Sequence, residues 1–107
     1  MIKVSALYRN GKDVRFDMKY YIEKHIPLSV KLLSTHQSYH GVSVERGLSG
    51  IAPAEEPPYL ALAHYFFGSA EGFQSAIAAE GEALLADVPN YTDIHPVFQI
   101  SEVLMSS

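Results

Sequence analysis

The sequence contains no cysteine, which excludes disulfide frameworks, thiolate catalysis and zinc sites built on thiolates. Basic residues are also few, with 8 Lys and Arg against 12 Asp and Glu, for a formal net charge of −4. The cations are scattered along the chain rather than clustered. This balance argues against nucleic acid and against an anionic membrane surface as partners.

Long apolar runs are missing as well. The longest, Tyr59 to Phe67, is too short to span a bilayer and contains His64. No signal peptide precedes Ile2, so we expect a cytoplasmic protein. The chain has no Gly-rich phosphate loop, no P-loop and no G-x-S-x-G elbow. The sequence therefore contains none of the motifs that would indicate nucleotide binding or serine-hydrolase activity.

What the chain does contain is enough apolar material for one core. Of the 107 residues, 48% are hydrophobic. This length and composition predict a single domain over residues 1–107.

The stretch from Phe16 to Leu33 has the pattern of an amphipathic helix. Asp17 is the predicted N-cap, and Phe16 is placed to pack on Tyr21. One face carries an apolar stripe at helical spacing, which also includes a histidine: Met18, Tyr21, Ile22, His25, Leu28 or Ser29, and Leu32. We therefore expect His25 to point into the protein. Pro27 disfavours helical angles at the residue before it and lacks an N–H, which predicts a break or kink at Ile26.

The rest of the chain alternates between strand patterns and a second helix. Ser69 is the predicted cap of that helix, and its inner stripe is apolar except for Glu80. Four segments have strand patterns, the second with a bulge near Gly41: Ile2–Tyr8, Gln37–Leu48, Tyr59–Phe67 and His95–Met105.

This order of elements is that of the ferredoxin-like βαββαβ fold, in the α+β class. It predicts an antiparallel four-stranded sheet with two helices on one face. Right-handed crossovers place the first and third strands at the centre, and for this central pair we expect a parallel arrangement.

The third strand, Tyr59 to Phe67, is apolar on both faces, and the fourth is largely so. Two helices cover only one face of the sheet, and a small domain rarely leaves such a patch in water. We therefore expect a homodimer packed through the other face, with on the order of 1,600 Å² or more buried in total.

Several motifs together resemble the EthD family, named for a protein associated with bacterial ether degradation. The resemblance extends from Ile2 to Val103 and rests on three segments: Phe16…Tyr20-Tyr21…His25-Ile26-Pro27-Leu28, then Phe67-Gly68-Ser69, then Asp87-Val88-Pro89-Asn90-Tyr91. It implies a dimeric α+β barrel of two ferredoxin-like units packed sheet to sheet. Related barrels include muconolactone isomerases, cofactor-independent monooxygenases, polyketide cyclases and haem peroxidases, and some fungal relatives act as dehydratases. Such a resemblance carries the fold more securely than the reaction.

His25 is the candidate catalytic residue. A neutral imidazole in a cavity between the first helix and the sheet could act as a general acid or base near neutral pH. The structural alternative is that His25 satisfies carbonyls freed by the break at Pro27, since a buried imidazole needs a partner in either case.

The candidate substrate-binding residues also have structural alternatives. They are polar or aromatic side chains that could line or cover such a cavity: Tyr20, Tyr21, His64, Asp87 and Tyr91. Tyr21 lies one helical turn before His25, so the two side chains can meet. Asp87 and Tyr91 belong to a loop that could act as a lid or could only organise the turn around Pro89. The third strand is apolar on both faces, so the alternation of its side chains leaves open whether His64 or Tyr65 shares a space with His25.

We expect neither a metal nor a cofactor. His36 and His40 are four residues apart, but they lie where a helix ends and a strand begins, without a supporting carboxylate. So short a chain also offers little room around a porphyrin.

Two functions agree with this pattern. The first is binding of a small hydrophobic or aromatic molecule with cofactor-free isomerisation, dehydration or cyclisation at His25. The second is a non-catalytic carrier or accessory protein that uses the same cavity only to bind.

Overall fold

The computed structural model describes residues 1–107. Its four strands are β1 (Ile2–Arg9), β2 (Tyr39–Arg46), β3 (Tyr59–Phe67) and β4 (Val97–Glu102). The first helix is continuous from residue 18 to residue 33 and has three segments, α1 (Met18–Tyr20), a π-helical segment (Tyr21–His25) and α2 (Ile26–Leu33). The second helix is α3 (Ala70–Asp87), followed by a 3₁₀ turn (Val88–Asn90).

The strands form one sheet in the order β2-β3-β1-β4, with every neighbouring pair antiparallel. The predicted ferredoxin-like α+β fold is confirmed. The expected parallel arrangement of β1 and β3 is wrong. The first helix returns the chain so that β2 runs parallel to β1, and β3, which follows β2 as its hairpin partner, must then run opposite to both.

The break or kink predicted at Ile26 takes the form of a widened turn, because the helix does not break. Ile26 keeps helical angles (φ −63°, ψ −45°), and its N–H bonds to the carbonyl of Tyr21, five residues back. This π-type turn leaves room for the ring of Pro27, which lies in the first turn of α2, where a missing N–H is tolerated. The bulge also turns Ile22 out of the expected apolar stripe, so that 46% of it is exposed.

Both predicted helix caps are present. The Asp17 carboxylate accepts from the N–H of Tyr20 at 3.0 Å, and the Ser69 hydroxyl accepts from the N–H of Gly72 at 3.0 Å. Phe16 and Tyr21 pack edge to face, with ring centroids 5.0 Å apart. Glu80, the polar exception on the stripe of α3, pairs with His36 Nε2 at 2.8 Å. Local sequence signals thus fixed both helix starts.

The edge strands differ from their predicted lengths. β2 has the expected irregularity at Gly41, where the register with β3 shifts and φ is +140°. β4 ends at Glu102 rather than at Met105, and Val97 to Ile100 are exposed. The fourth strand is therefore less covered in the single chain than its apolar sequence suggests.

The core lies between the helices and one sheet face. On that face β1 presents Val4, Ala6 and Tyr8, which are at most 7% exposed. In the antiparallel pairing of β1 with β3, these three residues lie opposite Tyr65, Ala63 and Ala61, in that order. Because side chains alternate along a strand, Leu7, Leu60, Leu62, His64 and Phe66 lie on the opposite face, which no helix covers.

Candidate functional site

A histidine–aspartate pair joins the two helices at one end of the core. His25, the last residue of the π-helical segment, is 7% exposed, and its Nδ1 lies 2.9 Å from Oδ2 of Asp87, the last residue of α3. Widening of the helix just before Ile26 places His25 on the inner face together with Tyr21 and Ser29. The middle of the first helix and the end of α3 thus supply the two partners.

Asp87 accepts hydrogen bonds from two further side chains. The Tyr20 hydroxyl donates to its Oδ1 at 2.8 Å, and the Asn90 amide donates to the same oxygen at 2.9 Å. Burial alone would raise the pKa of Asp87, but the hydrogen bonds from Asn90, His25 and Tyr20 outweigh it and lower this pKa below the usual 3.8. The carboxylate is therefore ionised at neutral pH and acts only as an acceptor.

The ionised carboxylate selects one tautomer of His25. Burial lowers the pKa of His25 below 6.5, although the hydrogen bond to Asp87 and the charge of that residue act in the opposite direction. The imidazole is therefore neutral at pH 7 and donates its Nδ1–H to Asp87. Its Nε2 keeps a free lone pair without a partner in the protein. This arrangement suits a general base whose orientation is set by a carboxylate.

His25 forms part of the wall of a cavity of about 410 Å³ between the helices and the sheet. Thirteen of its 16 lining residues are hydrophobic, and none is Lys, Arg, Asp or Glu. Leu85, Phe98 and Ile100 are 45–59% exposed and lie at its mouth, between α3 and β4. The opening thus lies between α3 and the edge strand β4.

Two pairs of hydroxyl groups lie in or beside this wall. Ser29 Oγ donates to the carbonyl of Ile26 at 2.7 Å and lies 2.7 Å from Tyr65 Oη, so the Tyr65 hydroxyl donates to Ser29. Burial raises the pKa of Tyr65 to about 12. In the second pair, Tyr8 Oη lies 2.6 Å from Tyr91 Oη. These phenols are neutral at physiological pH.

Aromatic packing holds the imidazole in place. The ring of His25 stacks on Tyr21 with centroids 5.8 Å apart and lies 4.6 Å from the ring of Tyr91. Tyr91 is fully buried because the loop after α3 is tied to the chain before the first helix, where the N–H of Asp17 donates to the carbonyl of Tyr91 at 2.7 Å. This loop is therefore a fixed wall rather than an exposed flap.

The structure places five of the six residues singled out in the sequence around one point, namely Tyr20, Tyr21, His25, Asp87 and Tyr91. His64 lies on the opposite face of the sheet, where Nδ1 is 2.7 Å from Ser5 Oγ and Nε2 is 3.0 Å from Glu45 Oε1. Tyr65, not His64, shares a space with His25.

Four polar residues of this region were not among the candidate site residues: Tyr8, Ser29, Tyr65 and Asn90. Ser29 follows His25 by one turn, so its position was predictable from helical spacing. Tyr8 follows Val4 and Ala6 on the inward side of β1, which was a second available signal.

No three His, Asp or Glu side chains converge in a way that could hold a metal ion. His36 pairs with Glu80, while His40 is exposed on β2. None of the helices combines the length and apolar character needed for a membrane span.

Comparison with known proteins places this chain in a family. The family model of the EthD domain matches residues 9–95. An EthD-like protein from Ralstonia eutropha JMP134 is 38% identical, with a TM-score of 0.91 over 99% of this chain and 94% of that chain. An EthD family protein from Bacillus halodurans C-125 is 22% identical, with a TM-score of 0.74 over 97% of this chain and 99% of that chain.

A more distant structure has the same fold. A dimeric ferredoxin-like protein of unknown function from Thermobifida fusca YX is 17% identical, with a TM-score of 0.63 over 95% of this chain and 90% of that chain. No curated protein matches the sequence. The match of the domain model and the 38% identical relative show that this chain belongs to the EthD family.

Proposed function

We propose that this protein binds a small, apolar or aromatic molecule and transfers a proton on it without a cofactor, with His25 as the acid–base group. The observation that carries the proposal is the His25–Asp87 pair, because His25, with Nε2 free, is a wall residue of an apolar cavity of about 410 Å³. Drug-sized ligands occupy cavities of this size and character. Isomerisation, dehydration and cyclisation all begin with a proton transfer of this kind.

The site has the three properties that a general base requires. The imidazole is neutral at pH 7 because burial lowers its pKa. It is oriented by a carboxylate that itself accepts from Tyr20 and Asn90. Its surroundings exclude most water, since the wall is nearly all hydrocarbon and aromatic. Charge that develops on a bound molecule is therefore poorly screened, and each polar group has a larger effect.

The second candidate is a non-catalytic carrier, favoured by the wide mouth at Leu85, Phe98 and Ile100. Exchange of the α-protons of 1-tetralone in D₂O, followed by NMR, separates the two functions. An enzyme accelerates this exchange and loses the acceleration on His25→Gln, while His36→Gln, on the far side of the helix pair, leaves it intact. Binding of 1-tetralone without accelerated exchange supports the carrier instead.

The same chain is proposed to act as a homodimer. Leu7 and Leu62 form a directly opposed cross-strand pair on the sheet face that carries no helix, and Leu60 and Phe66 extend this face along β3. A second copy packed sheet to sheet would cover it. Sedimentation equilibrium at micromolar concentration tests this proposal, and a purely monomeric species contradicts it.

A further inference from the structure

Tyr8 has a hydroxyl whose proton finds no acceptor in the protein. The residue lies near the end of β1, is 3% exposed and forms part of the cavity wall. Its hydroxyl lies 2.6 Å from that of Tyr91, and it also accepts a hydrogen bond from the hydroxyl of Tyr21. A phenol has a single O–H donor, so only one of the two protons can be used in this contact.

Burial decides which of the two tyrosines donates. Tyr91 is 0% exposed and does not line the cavity, and Tyr8 is the only partner of its hydroxyl. If Tyr8 donated, the proton of Tyr91 would be buried without an acceptor, which is costly. Tyr91 therefore donates, and the proton of Tyr8 is left for whatever occupies the cavity.

The charge of the wall restricts what this proton can meet. None of the 16 lining residues carries a positive charge, so a carboxylate or phosphate would be buried there without a counter-ion. A neutral carbonyl oxygen needs only a hydrogen-bond donor. Tyr8 supplies one, and it remains protonated because burial raises its pKa, although hydrogen bonding to Tyr91 and Tyr21 acts against this.

Tyr8 and His25 flank the same two rings. The Tyr8 ring lies 5.5 Å from Tyr21 and 6.0 Å from Tyr91, and the His25 ring lies 5.8 Å and 4.6 Å from the same two rings. The donor and the base are thus one aromatic side chain apart, at the same end of the cavity. A small ligand can contact both at once.

We propose that the Tyr8 hydroxyl binds the oxygen of the substrate, and that the substrate is an uncharged carbonyl compound with an acidic C–H next to the carbonyl. This inference rests on the function proposed above. His25 Nε2 takes the proton from the α-carbon, the C–H electron pair becomes a C=C bond, and the C=O π pair moves to oxygen. The resulting enolate accepts the hydrogen bond of Tyr8. His25 then returns the proton to another carbon, or to a departing hydroxyl that leaves as water, so no oxidant or reductant is required.

The test compares 1-tetralone with tetralin, the hydrocarbon of the same shape without the oxygen. Calorimetric titration of the intact protein should show tetralone bound more tightly than tetralin. Loss of one neutral hydrogen bond changes affinity by about five- to tenfold. Tyr8→Phe should therefore weaken the binding of tetralone by this factor and leave the affinity for tetralin unchanged. Tyr39→Phe, outside the cavity, is the matched control.

A second measurement does not depend on turnover. The carbonyl stretching frequency of bound tetralone should be lowered in the wild type and in Tyr39→Phe, and should return toward its value in an apolar solvent in Tyr8→Phe. Because Tyr8→Phe leaves the Tyr91 hydroxyl unpartnered, the double variant Tyr8→Phe/Tyr91→Phe removes both hydroxyls and keeps the comparison valid if the single variant folds poorly.

The outcomes separate this inference from the proposed function. A lowered carbonyl frequency that survives in the Tyr8 variants but disappears in Tyr21→Phe or Tyr65→Phe assigns the oxygen to another hydroxyl of the wall and overturns the inference alone. Equal binding of tetralone and tetralin to the wild type, without a frequency change, also overturns it. If neither compound binds, the ligand-binding function fails and the inference fails with it. If the protein does not accelerate α-proton exchange but the carbonyl frequency of bound tetralone is still lowered, only the catalytic role of His25 is contradicted.

Discussion

The Nδ1 atom of His25 and the Oδ2 atom of Asp87 are 2.9 Å apart, although 62 residues separate them in the chain. The ring of Tyr91 packs against the imidazole, with centroids 4.6 Å apart. The catalytic role proposed for His25 depends on this pair, because it fixes which nitrogen of His25 is free. A change in the charge of Asp87 therefore acts on the base itself.

Asp87→Asn should reduce α-proton exchange of 1-tetralone at least about a hundredfold. An amide can donate to Nδ1, which would place the imidazole proton on Nε2 and remove the base from the cavity. The loss of the negative charge should also lower the pKa of His25 further, since Asp87 acts to raise it. NMR titration of the imidazole measures this shift. Asp93→Asn is the control, because Asp93 bonds to the backbone of Arg15. Unchanged exchange in Asp87→Asn would contradict a base oriented by this residue.

Tyr20→Phe should have a smaller effect of the same kind. Its hydroxyl donates to Asp87 Oδ1 at 2.8 Å, while Asn90 donates to the same atom and remains. We expect the pKa of Asp87 to rise and exchange to fall a few-fold with an unchanged dissociation constant for tetralin, because Tyr20 does not line the cavity. Weaker tetralin binding would instead assign Tyr20 a role in shaping the cavity.

Acidification should destabilise the protein between pH 6.5 and the pKa of His25 in the folded state. That pKa is lowered by burial, so as pH falls below 6.5 the unfolded chain takes up a proton before the folded chain does. The stabilisation is therefore fully present above pH 6.5 and is lost as pH falls through the folded-state pKa. Asp87, whose pKa is also lowered, adds a further loss below about pH 4.

Urea unfolding at several pH values measures this dependence. His25→Gln should show a shallower fall in the free energy of unfolding just below pH 6.5 than the wild type, and the rate of tetralone exchange in the wild type should be level above pH 6.5 and decline below the same folded-state pKa. A wild-type stability that rises on acidification through this window would show that the pKa of His25 is raised instead.

Leu62→Lys should convert the proposed dimer into monomers. Leu62 lies on the helix-free face opposite Leu7, and a charge there would be buried unpaired between two sheets. Leu48→Lys, at a position 82% exposed in the loop after β2, is the control that adds the same charge elsewhere. Sedimentation equilibrium should report dissociation of the first variant only. If both variants sediment like the wild type, the sheet face is not the interface.

Local patterns were sufficient for the fold and for the helix starts. Asp17, Ser69 and the Phe16–Tyr21 contact are each set by residues within five positions of one another. The π-helical turn was missed because the rule for the residue before proline assumes α-helical spacing, and a wider turn removes the clash at Ile26.

The site was only partly predictable, because its residues come from distant parts of the chain. Helical spacing marks His25 as inward, but its partner comes from the far end of the chain. β3 is apolar on both sides, so alternation alone could not decide between His64 and Tyr65. The role of the Tyr8 hydroxyl depends on Tyr91, 83 residues away, and on which of the two is sealed from the cavity. Long-range pairing of this kind has no signature in one sequence.

The π-helical segment has a consequence for the loss of single residues. Such a turn is equivalent to one extra residue in an α-helix, so removing one residue between Ile22 and Lys24 would let the helix close into regular turns. The part of the helix before the deletion would then rotate by about 100° relative to the part after it. Tyr20 would swing away from Asp87 while His25 stayed in place. A natural relative shorter by one residue here would therefore keep its imidazole but need a new phenol to steady the carboxylate.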